Sequence, residues 1–219
     1  MSQDNLVLVT GASGYVACHV VQQLQRAGYR VRGTVRSLKN DKKCQPIREL
    51  CPDAKHPVEF VEADLLQPET WPAAVAGCSY VIHTASPFPF MPPKNPDDVI
   101  KPAVDGTLNV LRAVKGAGCA KRVVLTSSNA AVCGDVAREG KTYDETDWTD
   151  VNEWTSAYAK SKTLAEKAAW EFVDALSGDD RLELAVMNPT SVRPWLKFGA
   201  SKNSNQRSPK PGGGGAQLG

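Results

Sequence analysis

Two residues one helical turn apart raise the chemical question. In "YAKSK", Tyr158 and Lys162 stand four positions apart, so inside a helix both leave from the same face. An unperturbed tyrosine titrates near pH ~10, too high for ready proton exchange at neutrality. An ammonium one turn away favours the phenolate and lowers that value. The pair can then act as an acid or base toward a neighbouring reactant. Tyr-x-x-x-Lys alone says little, since the spacing is common in helices. It gains meaning from a glycine turn early in the chain and from a strand upstream of the pair that ends in "LTSS".

The glycine turn is "TGASGYVA", with the spacing Gly11-x-x-Gly14-x-x-Ala17. Gly11 permits a tight turn, Gly14 lets the backbone approach a pyrophosphate, and Ala17 allows close helix–strand packing. The free N–H groups and the dipole of the following helix attract phosphate. Taken with its place after a first strand, the turn predicts dinucleotide binding. The end of the second strand then selects the dinucleotide: an acid there binds a ribose 2′-OH, a basic residue a 2′-phosphate. Here "GTVRS" supplies Arg36, and no acid follows until Asp41. A guanidinium binds phosphate in a bidentate manner and stacks on adenine, so NADP(H) is the expected cofactor. Lys39, Lys42 and Lys43 lie just beyond; a solvated basic loop accounts for most of them. Asp64, in "EADL", stands where the adenine edge would lie, and capping the next turn explains it equally well.

The elements that must hold these residues alternate regularly. Short apolar runs at 6–10, 29–36, 58–63, 79–86, 121–128 and 182–189 read as strands, the first of them in the form of a strand buried on both faces. Helical periodicity fills 15–28, 68–77, 97–118 and 156–178, with a short helix expected around Ile47–Leu50 and a bend possible at Pro102. Such alternation implies an α/β fold, a Rossmann-type doubly wound parallel sheet of about six strands. The Pro-rich "PFPFMPPKNP" (87–96) cannot join a ladder and is expected to cover the carboxyl edge of the sheet.

Composition bounds the function. The chain has 219 residues, 42% of them hydrophobic, with a net charge of +2. Lys197, Lys202, Arg207 and Lys210 fall in 195–219 without an acid, so the body is near neutral and carries no nucleic-acid footprint. No apolar leader and no run long enough to span a bilayer is visible. Six cysteines, none in a CxxC pair, are expected to be reduced thiols of a cytoplasmic protein. His19, His56 and His83 show no metal-ligand spacing and are expected to be structural or exposed.

The segments "VTGASGYVACHVVQQLQRAGYRVRGTVR", "GCSYVIHTASP", "VIKPAVDGTLNVLRA", "KRVVLTSSNAAV", "YAKSKTLAEKAAWEF" and "NPT" together resemble the extended short-chain dehydrogenase/reductases, within the dihydroflavonol 4-reductase-like branch of the NAD-dependent epimerase/dehydratase family. The resemblance covers about 5–190. It implies a catalytic triad of Ser128, Tyr158 and Lys162, with Ser127 the competing serine. The cofactor contacts it implies are Gly11, Gly14, Tyr15, Arg36, Lys43, Asp64 and Leu65, with Pro189 beside the nicotinamide. The implied activity is NADP(H)-dependent reduction of a small-molecule carbonyl to an alcohol, without a metal.

Departures matter as well. Cys133 stands where flavonoid reductases tend to have Asn, so a simpler aldehyde or ketone is as good a substrate as a dihydroflavonol. After "NPT" the chain reads "SVRPW" instead of a Val-x-Gly-Pro turn. A cofactor domain over 1–194 and a disordered, basic, Gly/Ser-rich tail over 195–219 are therefore expected, with the C-terminal substrate domain missing. Two other readings stay open: an inactive NADP-binding fragment of such an enzyme, and a relative of nucleotide-sugar epimerases or 3β-hydroxysteroid dehydrogenases.

Overall fold

Each apolar run becomes a strand, and each strand pairs in parallel. The computed structural model describes residues 5–39, 41–88, 91, 93–178 and 181–192; the tail expected over 195–219 lies outside them. The strands are β1 (Leu6–Thr10), β2 (Arg30–Val35), β3 (Glu59–Glu62), β4 (Tyr80–His83), β5 (Arg122–Thr126) and β6 (Glu183–Met187). They form one sheet in the order β3-β2-β1-β4-β5-β6. Val7 pairs with Val31 on one side and Tyr80 on the other, and Val123 pairs with Leu184. This is the doubly wound order, with its topological switch point between β1 and β4.

The helices are α1 (Tyr15–Arg26), α2 (Asp41–Arg48), α3 (Trp71–Val75), α4 (Asp97–Ala117) and α5 (Ala157–Asp174). Successive residues of β1 serve opposite faces, as a period of two requires. Leu6 and Leu8 pack into a core with Trp71, Val110, Leu111 and Val114 of α3 and α4. Val9 packs instead against Ala17 and Val21 of α1 and Ile47 of α2. Fully burying a side chain such as Leu8 or Val110 contributes about 1.5–3 kcal/mol, which is why the sheet reads as apolar runs.

Three local expectations change. The short helix expected around Ile47–Leu50 is α2, which starts at Asp41 and ends at Arg48. Pro46 removes the bond its N–H would make to the Lys42 carbonyl, yet Cys44 and Ile47 are both buried and hold the helix against the sheet. The helix expected over 68–77 begins as a 3-10 turn, Pro68–Thr70, before becoming α3. A further 3-10 turn, Asn129–Ala131, follows β5. α4 runs through Pro102 as one helix.

Candidate active site

The loops at the carboxyl ends of β1 to β4 enclose a groove of about 710 Å³. Gly11 turns the chain out of β1 at φ +64°, a region a side chain rarely enters, and a Cβ there would lie 3.1 Å from Ala85. Its N–H donates to Thr34 Oγ1 at 2.9 Å, and the Gly14 N–H closes the turn onto the Gly11 carbonyl at 2.8 Å. Gly14 then caps α1 with no side-chain hydrogen bond and no acid in the first turn, so the helix N-terminus is left free for an anion.

Most of the residues expected at the cofactor do line this groove. Gly11, Gly14, Arg36, Lys43, Asp64 and Leu65 all border it. Arg36 is exposed there, and no acid among the described residues pairs with its guanidinium. Asp64 acts locally, because its Oδ1 accepts the Leu66 N–H at 2.9 Å, the turn-capping alternative the sequence allowed. Its backbone carbonyl accepts Trp71 Nε1 at 2.9 Å, anchoring the end of β3 to α3. Tyr15 and Pro189 are not among the lining residues. The Tyr15 ring meets His19 edge-on at 4.8 Å, and the Pro189 carbonyl accepts the Asn129 N–H at 3.0 Å, tying the ends of β5 and β6 together.

The pair on α5 comes together as its spacing requires. Lys162 Nζ lies 5.8 Å from the Tyr158 ring centroid. Lys162 is buried, and burial pushes its pKa down to about 8 against an upward pull from Glu166. Ser128, two residues beyond β5, caps the 3-10 turn: its Oγ accepts the Ala130 N–H at 3.2 Å and its hydroxyl donates to Asn129 Oδ1 at 3.3 Å. Ser127, the competing serine, is also buried, and its Oγ has no hydrogen-bond partner among the described residues. It shares a small cavity with Lys162 and Glu166.

Several contacts escape sequence reasoning. Phe88, from the Pro-rich loop, stands edge-on to Tyr158 at 5.4 Å and is otherwise 76% exposed. Pro87 and Phe88, the first two residues of that loop, border the groove at the carboxyl ends of the strands; residues 89, 90 and 92 lie outside the described residues. Thr10 Oγ1 accepts the N–H groups of Thr84 and Ala85, so its own proton goes to His83 Nδ1 at 2.8 Å. That bond, with burial, makes His83 a structural histidine. A second cavity, about 720 Å³, runs along the outer side of α5 and β6 past Trp170, Leu182 and Leu184. Neither the glycine turn nor the Tyr–Lys pair borders it; the glycine turn lines the first groove, and Tyr158 and Lys162, which are not in that groove's lining, adjoin it through the Phe88 contact with Tyr158.

Sheet order, glycine turn and groove at the switch point define a dinucleotide-binding α/β protein of the doubly wound class. Known proteins narrow this. The NAD dependent epimerase/dehydratase family matches residues 7–210, and the chain belongs to that family. It is 40% identical to a dihydroflavonol 4-reductase of Zea mays over 199 residues, which is 87% of this chain and 54% of the relative. A cinnamoyl-CoA reductase of Medicago truncatula is 41% identical over 197 residues, 86% of this chain and 58% of the relative. Among solved structures, yeast methylglyoxal/isovaleraldehyde reductase complexed with NADPH superposes with a TM-score of 0.73 and 34% identity, over 84% of this chain and 57% of that one. The dihydroflavonol-reductase-like resemblance is thus borne out. The chain spans a little over half the length of these relatives. Among the described residues, no helix is long and apolar enough to cross a membrane.

Proposed function

We propose that the chain binds NADP(H) in the groove and reduces a small-molecule carbonyl to an alcohol through Ser128, Tyr158 and Lys162. The observation that carries this reading is the buried Lys162 ammonium one turn from Tyr158, 5.8 Å from its ring. The groove fits the cofactor. A Cβ at Gly11 would crowd Ala85 and one at Gly14 the Gly11 carbonyl, so the two glycines keep the phosphate turn tight; the α1 N-terminus is open to pyrophosphate, and Arg36 and Lys43 supply cations for a 2′-phosphate. Leu65 would pack beside the adenine, Tyr15 would flank the phosphate turn, and Pro189 would close the nicotinamide end. The yeast relative carries NADPH, which supports the choice of phosphate-bearing dinucleotide.

When bound, NADPH supplies the hydride. Tyr158 gives its phenolic proton to the carbonyl oxygen, so hydride and proton together make the alcohol. Lys162 stabilises the phenolate left on Tyr158, which lowers the cost of releasing that proton. Ser128 turns its hydroxyl from Asn129 to the substrate oxygen and stabilises the charge that develops there. Phe88, against Tyr158, lies where an apolar substrate group would pass. The relatives' names include dihydroflavonol and methylglyoxal/isovaleraldehyde, so the substrate is proposed as an aldehyde, a simple ketone or a dihydroflavonol.

Isothermal titration with NADPH and an NADPH-oxidation assay over those three substrate types test the reading. Binding and turnover are expected, with Tyr158→Phe abolishing turnover while leaving binding intact. Undiminished turnover in Tyr158→Phe rejects the mechanism. Binding without turnover of any substrate leaves a cofactor-binding protein, and absence of binding to folded protein rejects the site.

A further inference from the structure

Glu166 stands one turn beyond Lys162 on α5 and is 6% exposed, and acids are seldom so buried without partners. Its Oε2 accepts a hydrogen bond from Asn188 Nδ2 at 2.8 Å, and the same amide nitrogen donates to the Ser128 carbonyl at 3.1 Å. An amide NH₂ has two protons, so it can satisfy both acceptors at once. Asn188 therefore pins a carboxylate of α5 to the backbone at the end of β5. Glu166, Lys162 and Ser127 border one cavity of about 10 Å³, room for at most a single water. Charges meeting across so little solvent interact more strongly than on a surface.

We infer that Glu166, held by Asn188, is a positioning residue that keeps Lys162 charged and so sets the pH range in which Tyr158 can donate its proton. The first half concerns Lys162 alone; the second rests on the reductase reading. Burial lowers the Lys162 pKa and Glu166 raises it, in the directions this role requires. Among the described residues, the titratable groups facing Lys162 are few. Tyr158 and Glu166 share its helix, and His83 faces it from β4, buried and neutral. The end of β5 and α4 present Thr126, Ser127 and Thr107, which do not titrate in this range. With the carboxylate gone, the ammonium would be buried without a counter-charge, and it would release its proton rather than remain so.

The test follows the Lys162 signal in the full 219-residue chain, labelled with ¹³C at lysine Cε and assigned by its loss in Lys162→Met. In Glu166→Gln the titration midpoint is expected to fall by about one pH unit or more. Glu166→Asp, which keeps the charge, should recover part of that fall, and Asn188→Ala, which releases the carboxylate but keeps its charge, should give a smaller one. An unmoved midpoint in Glu166→Gln overturns the inference. If that variant does not fold, an unmoved midpoint in Asn188→Ala overturns it instead. The alkaline limb of NADPH-dependent reduction should move to lower pH with the midpoint, whereas a purely structural role would scale activity at every pH. A shifted midpoint in a chain that oxidises no NADPH would reject the reductase reading and leave the Glu166–Lys162 link standing.

Discussion

Asp135 grips Ser156 with both carboxylate oxygens: Oδ2 accepts the Ser156 N–H at 2.8 Å and Oδ1 its hydroxyl at 2.5 Å. With its proton committed to Asp135, Ser156 Oγ is turned to accept the Ala159 N–H at 3.1 Å, which caps α5. Tyr158 is the second residue of that helix, so the direction in which its ring leaves depends on the cap. Asp135→Ala is expected to cost about 0.5–2 kcal/mol in urea unfolding, the range of a lost N-cap, and to lower kcat with little change in NADPH affinity. An unchanged urea midpoint would show that Ser156 caps without help.

The glycine of β2 makes a second test. A Cβ on Gly33 would fall 2.6 Å from the Ala12 Cβ, and Ala12 is buried in the phosphate turn with its N–H bonded to the Thr34 carbonyl at 2.9 Å. Gly33→Ala should destabilise the chain by about 1–3 kcal/mol through overpacking and weaken NADPH binding by displacing the turn. Gly116→Ala, at an exposed position of α4 with nothing within 4 Å of the added Cβ, is the control and should stabilise by up to ~1 kcal/mol. Equal effects at the two positions would mean that helix or strand preference, not the close approach, decides.

Much of the sheet was legible because its information is local. Leu6–Thr10 and Glu183–Met187 are short apolar runs flanked by helical periodicity, and both are strands. Gly11 and Gly14 were legible for the same reason: a tight turn restricts residue type at each position. Tyr158 and Lys162 were legible because one helical turn joins them. The start of α2 was not, since Cys44 is buried only through what the rest of the chain packs over it. The Asn188 bond to Glu166, the Thr34 bond to Gly11 and the Phe88 contact with Tyr158 each join segments far apart in sequence. Nothing in the neighbours of either partner records the other. Ser127 and Ser128 look alike in "TSS"; only the fold gives one the capping of a 3-10 turn and leaves the other's hydroxyl, beside Lys162, without a partner among the described residues.

Arg36 should determine which dinucleotide binds. It is exposed at the rim of the groove, and the glycine turn and Asp64 border the same groove. A hydrogen bond to a charged phosphate contributes about 1.5–3 kcal/mol, so Arg36→Ala should weaken NADPH by roughly 10- to 100-fold. NADH, which lacks the 2′-phosphate, should lose far less, no more than the stacking of the guanidinium on adenine contributes. Titration of both dinucleotides against both proteins measures this, and a parallel loss for the two would place Arg36 on a part they share.

His83 should make the fold sensitive to mild acid. It is 2% exposed, and burial, with the Lys162 charge adding to it, pushes its pKa from 6.5 down to about 3. Between those values the unfolded chain binds a proton that the folded chain refuses, so stability rises with pH through the window and is lost as pH falls through it. The slope from one such group reaches about 1.4 kcal/mol per pH unit. The lowered carboxyls of Glu59, Asp144 and Asp147 also favour the folded state above their unfolded values and lose that contribution in acid, but only as pH falls below about 5.5. Urea unfolding between pH ~7 and ~5.5, above the range in which those carboxyls take up protons, therefore reads the histidine. The natural chain should weaken steadily across that interval. His83→Gln, whose side-chain carbonyl can take the Thr10 proton without titrating, should flatten the slope. A slope that survives the substitution would assign the acid sensitivity to another group.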